Sequence, residues 1–403
     1  MKEKTVLVIG GGAAGLAAAI SAASQGANVA LIEKMDRVGK KILATGNGRC
    51  NMYNTQPPGY LGGADFAGRV LSKVGVKEVR SFFEGLGLSI REEEEGRAYP
   101  ASGQAASVLD VLRLGCARHG VDMVCGAAAD RVQKTPGGWK VWAGGREFAG
   151  DSLIVTGGGK AYPKLGSDGS TYALLVSQGH HLTALKPALV PLKTELEPIR
   201  GLEGIRMKAE VWLTKQENEL SRKKGEILFT AYGVSGVAAM QLARESKGAV
   251  LHLSFLPAIN ENSGESYAWL MRRKELLKSE PLEHFFLGAL ASRLGLTLLK
   301  RAGLGPMSRL CETLTDREVV ALSALMEDFP LTVTGVQGFD QAQVTAGGID
   351  LKEFDPERMA SLLAPKLYAA GEVLDVDGDC GGFNLLFAWA SGILAGIHAA
   401  GEA

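Results

Sequence analysis

The sequence predicts an α/β protein whose parallel sheet is wound by helices and interrupted by an inserted segment. Three observations predict this fold class. The chain opens on a strand, a glycine turn and a helix of small residues. After Pro191, apolar and polar residues alternate over short stretches. At Val344, the glycine-rich, strand-like pattern of the first residues returns. We therefore predict a discontinuous first domain (1–190 and 337–403), a β-rich inserted subdomain (191–258) and a helical inserted subdomain (259–336).

The N-terminal segment has the arrangement that a dinucleotide requires. Strand Thr5–Ile9 runs into a glycine turn and a helix, and the next strand ends at Glu33. Gly10 permits the tight turn, Gly12 lets the backbone approach a pyrophosphate, and Gly15 lets the helix pack close to the strand. Glu33 follows Gly15 by eighteen positions and is placed to accept hydrogen bonds from ribose hydroxyls. Because all these features are in register, we favour a nucleotide site over a turn without a ligand.

The composition argues against several classes of protein. Lysine plus arginine equals aspartate plus glutamate at 44 each, so no net positive field favours nucleic acid as a partner. The five cysteines form no Cys-x-x-Cys pair, which argues against a disulfide framework or a metal site and fits a reducing compartment. Glycines break the first apolar run at once, so we expect no signal peptide and a cytoplasmic protein.

The last apolar stretch, residues 381–400, has the length that a bilayer-spanning helix needs. It begins with glycines and carries Asn384 and His398, which lipid disfavours. We therefore interpret this stretch as a helix buried in the α/β core, and we expect no stable membrane insertion.

Two further glycine-rich blocks carry groups that suit a dinucleotide with a redox-active ring. The block 39–51 combines glycines, small polar side chains and cations, which supply donors and positive charge near a pyrophosphate or an anionic ring. The block 367–384 places Glu372 just past a strand end, near enough to bind a polyol hydroxyl, and a helix starts just beyond. Such a helix N-terminus would stabilise the anion of a reduced flavin. A plain turn explains any one block alone, but three in this order favour a flavin nucleotide.

Six strings of residues are specific enough to suggest a family: Thr45-Gly-Asn-Gly-Arg-Cys-Asn51, Gly96-Arg-Ala-Tyr-Pro-Ala-Ser102, Val155-Thr-Gly-Gly-Gly-Lys-Ala-Tyr-Pro-Lys-Leu-Gly-Ser167, Leu228-Phe-Thr-Ala-Tyr-Gly-Val-Ser-Gly236, Val344-Thr-Ala-Gly-Gly348 and Gly371-Glu-Val-Leu-Asp-Val-Asp-Gly378. They closely resemble the YhiN/BaiN family of FAD-dependent oxidoreductases, sometimes labelled aminoacetone-oxidase-like, over essentially the whole chain. The resemblance implies a glutathione-reductase-type Rossmann FAD-binding domain interrupted by a β-barrel-like and a helical insertion.

The resemblance also implies where FAD binds. It places the cofactor along the three glycine-rich blocks, the turn after the strand that ends at Val155, and an adenine region near Ala129. The residues implied are Gly10, Gly12, Ala13, Ala14, Gly15, Glu33, Lys34, Lys41, Thr45, Gly46, Asn47, Gly48, Arg49, Cys50, Asn51, Ala129, Thr156, Gly157, Gly158, Gly371, Glu372, Asp379, Gly382, Phe383 and Asn384. This chain departs from the family at two positions. The family often has a bulky aliphatic residue near Ala129, and it often has threonine or another small residue at the position of Cys380.

The reaction expected at the flavin is hydride transfer between N5 and a small organic substrate. The glycines at 157–159 lack the helix spacing and the acid of a second nucleotide fingerprint, so NAD(P)H would act only as a transient reductant at the open face of the ring. We expect the substrate under the insertion, whose 230–236 loop could cover the ring. The sequence offers Arg49, Tyr99, Tyr162 and Tyr232 as candidate catalytic groups, and Arg49 serves equally well as a loop anchor.

Several alternatives stay open at this point. A thiol relay between Cys50 and Cys380 is one, although small buried cysteines are common. We expect His180 and His181 to cap a helix, and we interpret the acidic run 92–95 as a solvated turn. The rival functions are an FAD-binding sensor or scaffold without turnover, a peripheral dehydrogenase linked to quinone, and a dehydrogenase that uses NAD alone.

Overall fold

The structure is a computed structural model, and it describes residues 4–57, 59–259, 262 and 264–401. The chain divides into two compact units. One consists of Met1–Pro187 with Phe339–Ala403 and is called the sheet unit below; the other is Ala188–Gly338 and is called the barrel unit. The sheet unit is therefore discontinuous in sequence, and the barrel unit is the segment inserted into it.

The strands of the described residues are, in chain order, β1 (Thr5–Ile9), β2 (Asn28–Glu33), β3 (Tyr53–Asn54), β4 (Tyr60–Gly62), β5 (Ile90–Glu92), β6 (Arg97–Pro100), β7 (Asp122–Cys125), β8 (Ala129–Thr135), β9 (Gly138–Ala143), β10 (Arg146–Gly150), β11 (Ser152–Val155), β12 (Lys186–Ala188), β13 (Leu192–Thr194), β14 (Arg206–Lys215), β15 (Asn218–Thr230), β16 (Gly233–Ser235), β17 (Val250–Ser254), β18 (Phe329–Val336), β19 (Val344–Ala346), β20 (Phe354–Asp355), β21 (Ala360–Ser361), β22 (Leu367–Ala369) and β23 (Asp377–Gly378).

The α-helices of the same residues are α1 (Ala13–Ser24), α2 (Lys40–Ala44), α3 (Ala64–Lys73), α4 (Val76–Gly85), α5 (Ala105–Arg118), α6 (Tyr172–Val176), α7 (Val237–Gln241), α8 (Ser266–Leu276), α9 (Ser292–Arg301), α10 (Asp316–Glu327) and α11 (Phe383–Gly401).

The core of the sheet unit is a sheet with the strand order β20-β21-β22-β11-β1-β2-β7. The last five of these strands run parallel, and Ile9 at the end of β1 pairs with Val155 of β11 and Ile32 of β2. The central strands β22, β11 and β1 are nearly continuous buried runs, as expected for parallel strands covered on both faces, whereas the edge strand β7 is partly exposed. Because the five strands run parallel, their carboxyl ends lie at one edge of the sheet, which is where ligands bind in open α/β sheets. The glycine turns after β1 and β11, the block 39–51 after β2 and the glycines after β22 all follow strand ends at this edge.

Helix α11 packs on α1 at a distance that only glycine allows. A Cβ atom added at Gly392 or Gly396 would lie 2.3 Å from the carbonyl oxygen of Ala14 or Ala18, respectively. Within the described residues, α11 is long and apolar enough to span a membrane, yet 67% of its apolar window is buried in the structure. Length and composition alone support a membrane span weakly, and the packing against α1 accounts for the apolar surface.

The barrel unit contains a closed barrel with the strand order β13-β16-β15-β14-β17-β18. Its longest antiparallel pair is β14 with β15, with Ala209 opposite Gly225 and Val211 opposite Lys223. Along β14, Ala209, Val211 and Leu213 are fully buried while their neighbours are partly exposed. This alternation is what places every second side chain inside a barrel.

The helical segment of the barrel unit is shorter than the sequence suggested. Helices α8, α9 and α10 end at Glu327, but Phe329–Val336, which we assigned to the helical subdomain 259–336, forms barrel strand β18. Phe329, Leu331 and Val333 are buried and alternate with exposed neighbours, a period of two that the preceding helical sequence obscured. Because β18 pairs with β17, the helical segment is an excursion between two neighbouring strands of the barrel.

Candidate active site

The turn after β1 brings backbone atoms together where side chains cannot fit. Gly10 has a φ of +104°, and a Cβ atom there would lie 2.6 Å from the carbonyl oxygen of Thr156. A Cβ atom at Gly15 would lie 1.8 Å from the carbonyl oxygen of Gly10. At Gly12, which caps α1, an added Cβ atom meets no atom within 4 Å. Open space thus adjoins the N-terminus of α1, where unpaired N–H groups favour a phosphate.

Glu33 fastens this turn from the end of β2. Its Oε2 accepts a hydrogen bond from the backbone N–H of Gly11 at 2.6 Å, and its Oε1 accepts one from Met35 at 2.8 Å. A carboxylate offers about four acceptor positions, so capacity remains for the ribose hydroxyls that we predicted as its partners. The structure adds a second role, since the same side chain orders the backbone of the glycine turn.

The loop after α2 is held in an unusual backbone conformation. Gly46, Asn47 and Cys50 have φ values of 55°, 55° and 57°, and Thr45 Oγ1 donates a hydrogen bond to the carbonyl oxygen of Ile42 at 2.7 Å. Asn51 Oδ1 is buried and has no hydrogen-bond partner among the described residues. A buried acceptor without a donor costs free energy. Asn51 Oδ1 is therefore placed to accept a hydrogen bond from a bound ligand.

The turn after β11 packs against the first glycine turn. Thr156 Oγ1 lies 2.8 Å from the carbonyl oxygen of Gly10, to which it donates. A Cβ atom at Gly157 would lie 2.2 Å from the side chain of Thr171, and Gly158 has a φ of +75°. The glycines of this turn are therefore required by the protein's own packing, whatever they contribute to a cofactor.

Hydrogen bonds around Glu372 join motifs that are distant in sequence. Glu372 Oε2 lies 2.6 Å from Lys41 Nζ, and Glu372 Oε1 accepts a hydrogen bond from the backbone N–H of Thr345 at 2.8 Å. Thr345 Oγ1 in turn accepts hydrogen bonds from the backbone N–H groups of Lys160 at 2.7 Å and Ala161 at 3.1 Å. Lys41 and Glu372 thus lie together, as the prediction of one site requires, and the ion pair neutralises the charge of Lys41.

The C-terminal block ends in the helix N-terminus that we expected near the ring. Helix α11 begins at Phe383, directly after Gly382, whose φ is 106°. Asn384 uses both ends of its amide locally, since it accepts from the N–H of Gly378 and donates to the carbonyl oxygen of the same residue, both at 2.9 Å. Asn384 therefore fixes the backbone of the loop before α11. The predicted site residue Asp379 lies in the same loop, and its backbone N–H donates to the carbonyl oxygen of Gly59 at 2.7 Å.

Like Lys41, the other two predicted cations are ion-paired. Lys34 Nζ lies 2.5 Å from Asp168 Oδ1, and although burial raises the pKa of Asp168, hydrogen bonds from Lys34 and Ser170 lower it to about 2. An Arg49 guanidinium nitrogen lies 2.6 Å from Glu93 Oε1. The interpretation of residues 92–95 as a solvated turn was therefore wrong at Glu93, because this carboxylate is ion-paired with Arg49 and anchors it.

The candidate tyrosines lie in different surroundings. The guanidinium carbon of Arg49 lies over the ring of Tyr99, 4.0 Å from the centroid of that ring. Tyr162 has a φ of 60°, and burial raises its pKa. Tyr232 belongs to the barrel unit, so its predicted place over the ring stays a prediction. Ala129 begins β8, on a separate three-stranded sheet with β9 and β10.

Burial argues against a thiol relay. Cys50 is fully buried, and burial raises the pKa of its thiol to about 12. Burial also raises the pKa of Cys380. Thiolates, which are the reactive form of cysteine, are therefore scarce at both positions.

The backbone of His180 caps α6, because its N–H donates to the carbonyl oxygen of Leu175 at 3.3 Å, but the two imidazole rings bind Glu353 and not the helix end. The ring of His180 is buried. Its Nδ1 lies 2.9 Å from Glu353 Oε2, and its Nε2 lies 2.9 Å from Ser361 Oγ. His181 Nδ1 lies 2.5 Å from Glu353 Oε1. The carboxylate of Glu353 is a stronger partner for both rings than the carbonyl groups at a helix end.

Sequence reasoning missed the residues that join the motifs. Thr345 was inside a recognised string and Asp168 directly follows one, but their partners are distant in sequence. Asp375 is a further example, because it accepts hydrogen bonds from Thr183 Oγ1 at 2.9 Å and from the backbone N–H of Gly347 at 3.1 Å. Polar residues within glycine-rich strings were the available signal, but no spacing rule identifies which of them will meet.

Comparison with known proteins decides the family. The model of the HI0933-like protein Rossmann domain matches residues 4–398. This chain belongs to the HI0933-like family. The YhiN/BaiN resemblance and the Rossmann-type FAD-binding fold predicted from the sequence are both confirmed, including the barrel within it.

Relatives span almost the whole chain. A 3-dehydro-bile acid delta(4,6)-reductase of Clostridium scindens is 38% identical over 98% of this chain and 98% of its own. A ribosomal RNA dihydrouridine synthase of Escherichia coli K12 is 27% identical over 97% of this chain and 96% of its own. The solved structure of 3-ketosteroid delta1-dehydrogenase from Sterolibacterium denitrificans has a TM-score of 0.52 at 13% identity, over 98% of this chain and 99% of its own, which shows a common fold.

The site fits the cofactor of this family, and the protein is an FAD-dependent oxidoreductase. The open space at Gly12, the same openness at Gly48 and the unpartnered Asn51 Oδ1 are the observations that favour a bound dinucleotide. Bound FAD supplies a ring that takes up or releases a hydride. The turn at 10–15 would hold its pyrophosphate, Glu33 its ribose, and the loops at 45–51 and 371–384 its remaining half.

Proposed function

We propose that this enzyme reduces a carbon–carbon double bond conjugated to a carbonyl group in a small organic molecule, by hydride transfer from flavin N5. A chemical feature shared by the names of two relatives carries the proposal. The name of the bile acid reductase describes reduction of double bonds near a ring ketone, and the name of the dihydrouridine synthase describes saturation of a uracil ring beside a carbonyl. Both substrates present an electron-poor double bond to which a hydride can add.

We propose an apolar ring ketone as the substrate, in preference to RNA. The 38% identity with the bile acid reductase supports this choice over the 27% identity with the RNA enzyme. Equal numbers of cationic and anionic residues, 44 each, also argue against RNA, whose binding gains much of its affinity from phosphate neutralisation. RNA is the second candidate, because the synthase of Escherichia coli aligns with nearly the whole chain.

We propose NAD(P)H as the reductant, entering transiently at the same site as the substrate. One dinucleotide fingerprint, at residues 10–15, is followed by an acid at the end of the next strand. The proposal of a cytoplasmic enzyme fits a free thiol at each of Cys50, Cys116, Cys125, Cys311 and Cys380.

The test starts from purified holoenzyme that is photoreduced without oxygen, so that the result does not depend on the natural reductant. The reduced enzyme is mixed with a 3-oxo bile acid that carries a double bond at position 4, with its saturated 3-oxo counterpart, and with ribosomal RNA that lacks dihydrouridine. We expect the absorbance of oxidised flavin to return with the conjugated ketone and not with the saturated one.

Reoxidation by the RNA, with dihydrouridine formed, would replace the small-molecule proposal by the second candidate. Failure of both substrates to reoxidise the flavin would overturn the proposed reaction. Separate mixing of the oxidised holoenzyme with NADH and NADPH tests the reductant, for which we expect bleaching of the flavin by at least one of them.

A further inference from the structure

Reduction of a conjugated double bond, the proposed function on which this inference rests, needs a proton as well as a hydride. The hydride adds to the carbon β to the carbonyl group, and the electron pair of the double bond moves to form an enolate. The α-carbon must then receive a proton from an acid within reach. The acid must hold its proton near neutral pH, and its conjugate base must be stabilised.

Most tyrosines of the sheet unit are unsuited to this task. Tyr60 and Tyr368 donate their hydroxyl groups to backbone carbonyl oxygens at 2.9 Å and 3.3 Å, respectively. The hydroxyl groups of Tyr53 and Tyr172 are buried. The hydroxyl groups of Tyr99 and Tyr162 remain, since neither belongs to the fully buried unpartnered atoms of the described residues. Of these two candidates, Tyr99 carries a cation on its ring.

The cation on the ring of Tyr99 is fixed in place. The guanidinium carbon of Arg49 lies 4.0 Å from the ring centroid. Glu93 holds Arg49 at 2.6 Å and also accepts a hydrogen bond from Arg91 at 2.6 Å, so the cation is anchored. A cation at this distance stabilises the negative charge that a phenol acquires when it gives up its proton.

Charged and titratable groups from several segments of the sheet unit act on Tyr99. Burial raises the pKa of Tyr99, Arg97 and Arg49 lower it, and Glu93 and Cys380 raise it. Tyr99 lies on β6, which pairs with β3. A Cβ atom added at Gly382, directly before the N-terminus of α11, would lie 2.7 Å from the carbonyl oxygen of Tyr53 in β3. Two paired strands thus place Tyr99 near the helix end that we expected to point at the flavin ring.

We propose that Tyr99 is the general acid of this enzyme and that Arg49, anchored by Glu93, is its positioning residue. The O–H bond of Tyr99 breaks as a C–H bond forms at the α-carbon of the enolate, and the phenolate remains beside Arg49 until water returns a proton. The substrate gains a hydride from reduced FAD, which is oxidised, and a proton from Tyr99, so two electrons and two hydrogens are accounted for.

The first test is Tyr99→Phe, which removes the hydroxyl group and keeps the ring under Arg49. We expect the single-turnover reduction of a conjugated ketone by photoreduced holoenzyme to slow by about 100-fold, in line with the loss of a general acid. Flavin absorbance and the thermal midpoint should stay those of the wild type. The control is Tyr267→Phe, which removes the hydroxyl group of an exposed tyrosine on α8 of the barrel unit and should leave the rate unchanged.

The second test is a spectrophotometric titration of the oxidised holoenzyme without substrate, followed at the absorbance of phenolate. The transition that Tyr99→Phe abolishes belongs to Tyr99. Arg49→Gln should shift this transition to higher pH, because the variant removes a cation that lowers the pKa of Tyr99. A purely structural role for Arg49 would leave the transition where it is.

The outcomes separate this inference from the proposed function. Wild-type turnover of the ketone with an unchanged rate in Tyr99→Phe would overturn the role of Tyr99 and leave the proposed function standing. If the wild type did not reduce the ketone, the proposed function and the general-acid role would both fall. A phenolate transition that Arg49→Gln does not move would overturn the positioning role of Arg49 by itself.

Discussion

The sheet unit and the barrel unit obtain their structures in different ways. In the sheet unit, backbone segments approach so closely that Gly10, Gly15 and Gly392 cannot carry a side chain. In the barrel unit, side chains such as Phe329 and Leu331 fill the interior by alternating along a strand. The first arrangement demands particular residues, whereas the second demands only a pattern that many sequences satisfy. The sheet unit should therefore be the less tolerant of substitution of the two units.

The largest expected effect is at Gly15. In Gly15→Ala the new Cβ atom would lie 1.8 Å from the carbonyl oxygen of Gly10, so α1 must move away from the turn. We expect a loss of about 4 kcal/mol or more in the free energy of unfolding, since overlap with backbone cannot be relieved by a rotamer change. Denaturant unfolding and FAD retention on gel filtration measure the effect.

Gly68 supplies the matched control. It lies inside α3, and an added Cβ atom meets nothing within 4 Å. Gly68→Ala should therefore leave FAD bound and raise stability by up to about 1 kcal/mol through helix propensity. An equal loss of unfolding free energy in Gly15→Ala and Gly68→Ala would contradict the idea that close backbone packing makes Gly15 irreplaceable.

The next effect tests the tolerance of the barrel unit. Phe329 is fully buried, and its ring centroid lies 5.5 Å from that of Phe255. Phe329→Ala should cost about 3 to 5 kcal/mol by leaving a cavity, whereas Phe329→Leu should cost only about 1.5 kcal/mol. Calorimetry of both variants checks the ratio. A Phe329→Leu variant as damaged as Phe329→Ala would contradict the idea that pattern suffices here.

A smaller effect is expected at Thr345, where side-chain chemistry supports the sheet unit. Thr345→Val keeps the shape but leaves the backbone N–H groups of Lys160 and Ala161 without their acceptor. The expected cost is about 2 kcal/mol, the penalty for buried donors left unpaired. Thr345→Ser retains the hydroxyl oxygen and should recover most of this stability in the same unfolding experiment. No recovery with serine would assign the loss to the missing methyl group instead.

The smallest effect concerns pH. The hydrogen bond to Glu353 raises the pKa of the exposed His181 above 6.5, so the pair stabilises the fold below the unfolded pKa and the stabilisation is lost as pH rises through the folded pKa. His181→Asn should lower the thermal midpoint at about pH 5.5 and leave it unchanged at about pH 8. A difference of the same size at both pH values would show that the contribution is not electrostatic.

Much of the fold could be predicted because strong local signals coincide with it. The strand, turn, helix and strand of residues 5–33 appear in the structure with Glu33 at the end of β2. The end of the helical segment was misplaced because β18 follows α10 with a single residue between, Asp328, and the one local signal of the boundary, Pro330, lies inside the strand itself. The local residue pattern predicts which helices and strands form, but it predicts poorly at which residue each one ends.

The candidate site was less predictable, because its polar groups pair across the chain. The sequence pointed to Arg49 and Lys41 as cations, but not to Glu93 and Glu372 as their counterions. These partners lie 44 and 331 positions away along the chain, and only the folded sheet brings them together. Charge at such a site cannot be read from composition, since pairing decides how much of it a ligand meets.

The most direct test of the central claim is an NMR spectrum of the product made by anaerobic, photoreduced holoenzyme from a conjugated ring ketone. The account predicts that the vinylic proton signal disappears while the carbonyl carbon signal remains, in an amount equal to the flavin oxidised. An alcohol with the double bond intact, or unchanged ketone beside reduced flavin, would contradict it.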